Sequence, residues 1–418
     1  MDARCIVREL PSSDAVAGVL GGRHEPDFKT PKWGRVMPMR RSMLRSLHLT
    51  GAQVLRPDGW SDAVVGIEDG RLSDAPCGPA VDLSGWWVLP GIVDAHGDGF
   101  ERHLAPRRGA LRDLRDGLAM TAAELAVNGI TTAMLAQFFS WEGGMRSPEF
   151  AAQMLAAHAE VAPREAIDMR VQLRIETHLT ERHDEAAALI ERYGIGYAVF
   201  NDHVPHAALA AGKRPPRLTG QALKSGRSPE AHLAMLQDLH ARSPQVPAAL
   251  EALIARLAVR GVILGSHDDP DAETRRLWQA RGVGVSEFPE TAESAQVASG
   301  GVVLGAPNVV RGASHAGKVS AEVLVKQGQC DALASDYHYP APRQAALKLA
   351  ADMGIAAAWS LVSDRPARLL GLADRGRIEA GLRADLVVLD PANGRVGATI
   401  AGGQVAWLGA GVAGRFIR

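Results

Sequence analysis

A histidine and an aspartate two residues apart, at the end of an apolar run, are the first residues in this chain that could do chemistry. The run Leu89-Pro90-Gly91-Ile92-Val93-Asp94-Ala95-His96-Gly97-Asp98 reads as a β-strand, and in a strand the side chains at i and i+2 point to the same side. His96 and Asp98 can therefore grip one metal ion from a strand end. A His-x-Asp pair also arises by chance in surface turns, so its weight depends on company. Further apolar strands end in Glu, His or Asp, and coincidence explains such a set poorly.

The polar residues at these strand ends are Gln137, Glu176 with His178, Asp202 with His203, His267 with Asp268 and Asp269, Glu287, Asn308 and Asp336. Histidine and carboxylate are the ligands that zinc and similar divalent ions prefer. No serine or cysteine among them sits in a nucleophile elbow, so metal-activated water is the better reading. Each residue also has an ordinary structural role open to it. Glu176 could be a rim ion-pair partner, and Glu176-Thr177-His178 leaves open which of its two ends faces a metal. His203 could cap its strand, with Asp202 competing for its role. Ser266-His267-Asp268-Asp269 packs three ionisable groups after a buried strand, a desolvation cost that function would explain. Asp336, after the last strand, is placed to take a proton from a bridging water.

The loop Ala306 to Lys318 combines flexible glycines with Asn308, Arg311, Ser314, His315 and Lys318. Backbone amides and an arginine fork suit phosphate, although a solvated loop has the same composition. Arg102, Arg107, Arg108 and Arg343 lie just beyond other strand ends, and their gathering at one mouth would point to a polyanionic small molecule. Arg107, Asn308, Arg311, His315 and Lys318 are the candidate substrate-binding residues.

Eight β-prone segments must position these groups: Val88 to Ala95, Thr131 to Ala136, Met169 to Ile175, Tyr197 to Phe200, Val262 to Gly265, Val283 to Ser286, Gly301 to Leu304 and Asp331 to Ala334. Most are separated by Ala/Leu/Glu/Arg-rich stretches of helical period, the alternation of a parallel sheet. Eight units predict a closed (β/α)8 TIM-like barrel over 89–375. No glycine-rich phosphate loop follows the first strand, as a nucleotide-binding open sheet would need. Short β segments at both ends, 43–88 with an Asp69-Gly70 hairpin turn and 376–418, predict one small β-sandwich. The stretch from Val204 to about Leu250 is long for a connection and leaves a strand end, so it reads as a lid or substrate loop, with Ala211 to Arg217 a loop by composition and the rest helical. Residues 1–42 mix Pro, Gly and charges without period and read as a flexible extension, with Met43 an alternative start.

Composition bounds the function. The chain has 418 residues, 46% hydrophobic, and a formal charge of -1, so no global field draws it to nucleic acid or an anionic membrane. Cys5, Cys77 and Cys330 are odd in number, widely spaced and outside any C-x-x-C motif, which fits a reducing cytoplasm. No apolar run reaches the roughly 18 residues of a spanning helix, and the N-terminus lacks a secretory core. The expected partner is a small anionic phosphorylated substrate, with no nucleic acid and no membrane; self-association into a homo-oligomer stays open.

Leu89 to His96, the closing Asp364-Arg365-Pro366-Ala367-Arg368-Leu369-Leu370-Gly371-Leu372 and Gly381 to Val388 resemble the amidohydrolase superfamily, a metal-bearing (β/α)8 barrel with a β-sandwich from both termini. His96-Gly97-Asp98 in place of the usual His-x-His, Pro106-Arg107, Ser266 to Asp269, Glu287-Phe288-Pro289, Gly305 to Gly312, Ser314-His315 and Ser335-Asp336-Tyr337 resemble its diphosphatase branch of the carbon-phosphorus lyase pathway. That likeness runs from about Met43 to the end. It implies release of pyrophosphate from α-D-ribose 1-methylphosphonate 5-triphosphate with one or two divalent ions, zinc being the expected one. It further implies His96, Asp98, His203 and His267 as metal ligands, Glu176 as a bridge between two ions, Asp336 as the water-activating carboxylate, and Arg311 and His315 as substrate contacts. His203 and His267 end the fourth and fifth segments, whereas the wider superfamily uses the fifth and sixth strands. The chain also departs from the diphosphatase pattern at Arg108 to Arg112 and over Val204 to Ser228. Hydrolysis of an amide, lactam or N-acyl substrate on the same centre, or a catalytically silent scaffold, are the competing expectations.

Overall fold

The computed structural model describes residues 46–105, 113–312 and 319–417. The expected extension 1–42, Met43, Arg107, Arg108, His315 and Lys318 lie outside the described residues. Met43–Arg418 group as one compact unit.

Eight parallel strands form the barrel: β1 Ile92–Gly97, β2 Ile130–Phe139, β3 Asp168–Glu176, β4 Tyr197–Asn201, β5 Ile263–His267, β6 Val285–Glu287, β7 Val302–Gly305 and β8 Ala332–Ala334, paired in sequential order. Their runs are apolar on both faces, as in β2, where all of Ile-Thr-Thr-Ala-Met-Leu-Ala-Gln-Phe-Phe is buried, because helices cover the outside and side chains fill the inside. A parallel bridge between Gly97 and Asp336 joins β1 to the end of β8. Asp336 N donates to His96 O at 3.0 Å and Asp98 N to Asp336 O at 2.9 Å. Asp94 reinforces this seam by accepting from Ser335 N (2.8 Å) and Ser335 Oγ (2.5 Å). Each expected segment carries one barrel strand, and His203 follows the fourth while His267 ends the fifth.

The crossover helices start where the sequence offers caps. Ser147 accepts from Phe150 N before Pro148–Val161, and Ser228 from Ala231 N before Pro229–Ala241, each with proline in the first turn. That is the favoured entry, since a capping oxygen satisfies an orphan N–H and proline needs none there.

Two further sheets come from both chain ends. One orders Arg71–Ser73, Val65–Glu68, Ser46–Thr50 and Ala80–Asp82; the other orders Gln404–Leu408, Val396–Ala401, Leu386–Leu389, Trp87–Pro90, Gln53–Arg56 and Gly59–Ser61. Leu47, Leu49, Ile67, Val88, Leu386, Val388 and Ile400 share their core. The Asp69-Gly70 turn has φ of 48° and 80°, the primed hairpin geometry expected from the residue pair.

One boundary differs from the expectation. The segment Val88 to Ala95 is not a single strand: Trp87–Pro90 pairs antiparallel with Leu386–Leu389 in the sandwich, and the barrel begins at Ile92. Pro90 has no N–H to extend a ladder, and Gly91 passes where a side chain would collide with Thr131. The chain changes sheets there, two residues later than the break expected after residue 88. The lid stretch holds helices His206–Ala210, Leu218–Lys224 and Pro229–Ala241 and the start of Val246–Ala258, with 211–217 as the loop its composition implied.

Candidate metal centre

His96 is fully buried at the end of β1. Its Nδ1 lies 2.8 Å from Glu287 Oε2 at the end of β6. The other oxygen of Glu287 accepts from Gln172 Nε2 and Tyr197 OH, both at 2.6 Å. A carboxylate so placed fixes the proton on Nδ1, orienting the ring and leaving Nε2 as a donor for a metal. His96 Nε2 is buried and has no hydrogen-bond partner. Burial opposes charge on this imidazole, yet the Glu287 carboxylate outweighs it and holds the histidine above its ordinary pKa. Burial likewise opposes charge on Glu287, and His96 brings it below the usual carboxylate range. The pair thus favours one positive charge at the ring, which a cation at Nε2 would supply as well as a proton.

Asp98 and Asp336 converge on the same point: with His96, their ligand atoms all lie within 4.8 Å of one another. Burial first, and then the neighbouring Asp98 charge, push Asp336 up to about 6. Two crowded carboxylates of this kind call for a cation between them. His267, at the end of β5, forms a second such group with His96 and Glu287, its ring centroid 5.4 Å from that of His96. Burial, then Arg174, lower His267 to about 4, so it stays neutral as a metal ligand must be. Asp268, Phe288 and Asp336 follow β5, β6 and β8 with φ of 58°, 52° and 55°. Aspartate tolerates this left-handed region better than phenylalanine does. The strained Phe288 holds its ring edge-on to both His96 and His267, at 4.9 Å each. Such strain persists where the surrounding structure over-determines it.

Glu176 and His203 come together with Glu142 in a separate group. Glu176 Oε1 engages His203 Nδ1, while Oε2 accepts from Trp141 Nε1 and His203 N, both at 3.2 Å. His203 Nδ1 also stands 3.5 Å from Glu142 Oε1. The structure therefore divides the expected ligand set in two: around His96, which groups with Asp98 and Asp336 and separately with His267 and Glu287, and around Glu176 and His203. Arg174 stands between the groups. Its Nη2 is 3.0 Å from His267 Nε2, its Nη1 3.9 Å from Asp98 Oδ2 and its Nε 3.3 Å from Asn201 Oδ1. The guanidinium lies 3.9 Å from the Phe138 ring centroid, as does that of Arg146, and the same ring is 6.1 Å from that of His203. The imidazole and carboxylate donors of both groups suit a divalent ion of zinc's class, and the orphaned His96 nitrogen makes the first group the better fit.

Beside the first group a cleft of about 270 Å³ is lined by His267, Asp268, Phe288, Asn308 and Asp336, among others. Arg311 Nη2 donates to Asn308 Oδ1 at 2.8 Å, so two of the expected substrate residues sit together at its edge. Arg343 is a correction: it was expected at the mouth, but its guanidinium binds Gly394 O between two sandwich strands. The helix Ala341–Met353 that carries it turns this face to the sandwich. Arg174, Arg146 and Glu142 were not foreseen. For Arg174 a signal existed, since Asp168, Arg170, Gln172, Arg174 and Glu176 alternate with apolar residues in one strand and so share one face.

No family model matches the chain. It is 30% identical over 324 residues, 74% of this chain and 84% of the relative, to the α-D-ribose 1-methylphosphonate 5-triphosphate diphosphatase of Escherichia coli K12. Among solved structures it resembles a prolidase of Bifidobacterium longum (TM-score 0.57, 16% identity, 90% of this chain and 98% of that one). It also resembles a molinate hydrolase (0.56, 14%, 86% and 94%) and the N-acetylglucosamine-6-phosphate deacetylase of Pasteurella multocida (0.54, 10%, 86% and 99%). At these identities the structures speak for the fold alone.

Proposed function

The chain belongs to the α-D-ribose 1-methylphosphonate 5-triphosphate diphosphatase family, on an amidohydrolase fold, and from that premise we propose that it is a metal-dependent hydrolase releasing pyrophosphate from this triphosphate. The observation that carries the reading is the buried His96 nitrogen, free of any hydrogen bond, oriented by Glu287 and met by Asp98 and Asp336.

His96, Asp98 and His267 would hold one ion, and Glu176, His203 and Glu142 a further one. A bound divalent ion of this kind, zinc being the best match to the donors, lowers the pKa of water towards about 7 and polarises the attacked phosphoryl group. Asp336, with its raised proton affinity, takes the proton from the attacking water. The water oxygen bonds to the phosphorus nearest the ribose, the anhydride P–O bond breaks, and pyrophosphate leaves. Arg174 and Arg146 offer guanidinium groups to the phosphate oxygens. Asn308 lines the cleft and Arg311 donates to it, with Arg107, His315 and Lys318 as further candidates for the polyphosphate.

The described cysteines, Cys77 and Cys330, are both unpaired, and among the described residues no helix is long and apolar enough to cross a membrane. The test is incubation of zinc-loaded protein with ribose 1-methylphosphonate 5-triphosphate, nucleoside triphosphates and N-acyl amino acids in parallel. Pyrophosphate from the first is expected; amine release from the last, without pyrophosphate, would overturn the reading.

A further inference from the structure

A cluster of histidines at the rim takes no part in the centre described above. His178 follows β3, Asp202 follows β4, and His206 opens the helix His206–Ala210 in the lid stretch. Their potential ligand atoms all lie within 4.8 Å of one another. Asp202 Oδ1 is 3.4 Å from His178 Nδ1 and 3.2 Å from His206 Nε2. A tetrahedral ion with bonds of about 2.0–2.2 Å sets its ligands about 3.3 Å apart, so these donors stand close to that spacing. The strand β3 ends at Glu176 and the chain turns at Thr177-His178, so Glu176 groups with His203 at one site while His178 groups with Asp202 at the other.

The far nitrogens of both imidazoles are also placed as ligands require. His178 Nε2 is 3.0 Å from Ser243 Oγ, which donates in turn to His240 O at 2.7 Å. His206 Nδ1 is 2.7 Å from His240 Nδ1. Each ring can thus place its proton on the outer nitrogen and present a lone pair to an ion, the arrangement that orients metal-bound histidines. The Thr177 hydroxyl, 3.0 Å from His178 Nδ1, is the one competing donor and frees that lone pair by rotating. The side chains of Asp202 and His206 are 40% and 34% exposed, which leaves an ion a route in.

We propose that His178 Nδ1, Asp202 and His206 Nε2 form a separate structural site for a divalent cation of zinc's class, which pins the lid stretch to the rim of β3 and β4. Water or an exchangeable anion completes the coordination. His240 and Ser243, at the end of Pro229–Ala241 and just beyond it, are positioning residues that act through the two imidazoles. Metal at this site therefore ties both ends of the lid stretch to the barrel.

The experiment uses the full chain, stripped by chelator and titrated with Zn2+ or Co2+ alone. Metal per chain is measured for the wild type, His206→Gln, Asp202→Asn and His96→Gln, together with the rate of proteolysis within residues 204–245. His206→Gln and Asp202→Asn are each expected to lose one metal equivalent and the slowing of proteolysis that Zn2+ gives the wild type. His96→Gln is expected to keep that slowing, which separates this site from the proposed catalytic centre. Both rim variants change half-exposed side chains, and circular dichroism checks that they fold. Wild-type stoichiometry and wild-type protection in either folded variant would overturn the proposal, whatever the His96 variant shows.

Discussion

Replacing Glu287 by glutamine tests the orienting role that sets up the whole centre. Glu287 accepts from three buried donors: Gln172 Nε2, Tyr197 OH and the His96 ring. In Glu287→Gln the retained oxygen can still serve Gln172 and Tyr197, but an amide N–H2 then faces His96 Nδ1. Two donors cannot face each other, so the imidazole moves its proton to Nε2 and loses the lone pair that would hold a metal. If the amide rotates instead, its N–H2 meets the Gln172 amide, which must rotate too so that its Oε1, buried without a partner, accepts; the tautomer then survives, but the negative charge that strengthens the ring as a ligand is still lost. Loss of an orienting partner of this type costs about 10- to 100-fold in metal affinity or activity, or about 1.4–2.8 kcal/mol. Stability should change little, since glutamine is nearly the same shape. Glu287→Ala should cost about 3–9 kcal/mol of stability, from three orphaned donors at about 1–3 kcal/mol each. Chelator competition gives the zinc dissociation constant, and urea unfolding gives the stability. A Glu287→Gln protein that binds zinc within about twofold of the wild type would refute the reasoning.

Further perturbations separate catalysis from folding. Asp336→Asn should lower kcat by about 10²- to 10⁴-fold, the range of a lost general base, while zinc content by mass spectrometry stays at the wild-type value. Arg174→Lys cannot reproduce the fork that reaches His267, Asp98 and Asn201, and loss of charge-assisted contacts of about 1.5–3 kcal/mol should lower kcat/KM by about 10- to 100-fold in steady-state assays. Arg275 is fully buried against Asp269, 3.3 Å away, and donates to Ser266 Oγ and Val285 O. Arg275→Met strands that carboxylate and should remove about 3–5 kcal/mol of stability, read as a lowered urea midpoint. Asp94 contributes a pH dependence of its own: burial, against the hydrogen bonds from Ser335, raises it from 3.8 to about 6. The folded state then binds its proton more tightly than the unfolded one, so this contribution is full below pH 3.8 and is lost as pH rises through about 6, a change of about 3 kcal/mol. In Asp94→Asn that loss should vanish, so wild-type stability should fall relative to the variant between pH 4 and 7; parallel urea curves at both values check it.

Much of this architecture was legible because each barrel strand is an apolar run buried on both faces, a signal local to a few residues. The Asp-Gly turn is local in the same way. The pairing of His96 with Asp98 could be read from strand periodicity, and Asp336 from its place after the last strand. What was not legible depends on partners far away in sequence. Glu287 was recognisable as a polar strand end, but its role comes from His96, Gln172 and Tyr197. Arg174 meets His267 93 residues further on, and the alternation that puts it on one face with Gln172 and Glu176 does not say what that face meets. Asp269 invited a functional reading because a buried carboxylate is expensive, whereas Arg275 and two serine hydroxyls satisfy it. Glu176-Thr177-His178 left its metal-facing end undecided for a related reason: its two ends face different groups. Arg343 misled because closeness to a strand end does not say towards which layer a helix turns its long side chains.

The seam between the first and last strands bears on how the molecule comes into being. Asp94 and Ser335 are separated by 241 positions, and Asp336 reaches His96 through the same junction. A nascent polypeptide emerging from the ribosome presents the His96 end early and the Asp336 end only after the rest of the cylinder has been translated. Loading of the His96 site and competence for turnover therefore belong to the finished barrel, and a fragment cut anywhere between the two strands should regain both only when its complement binds.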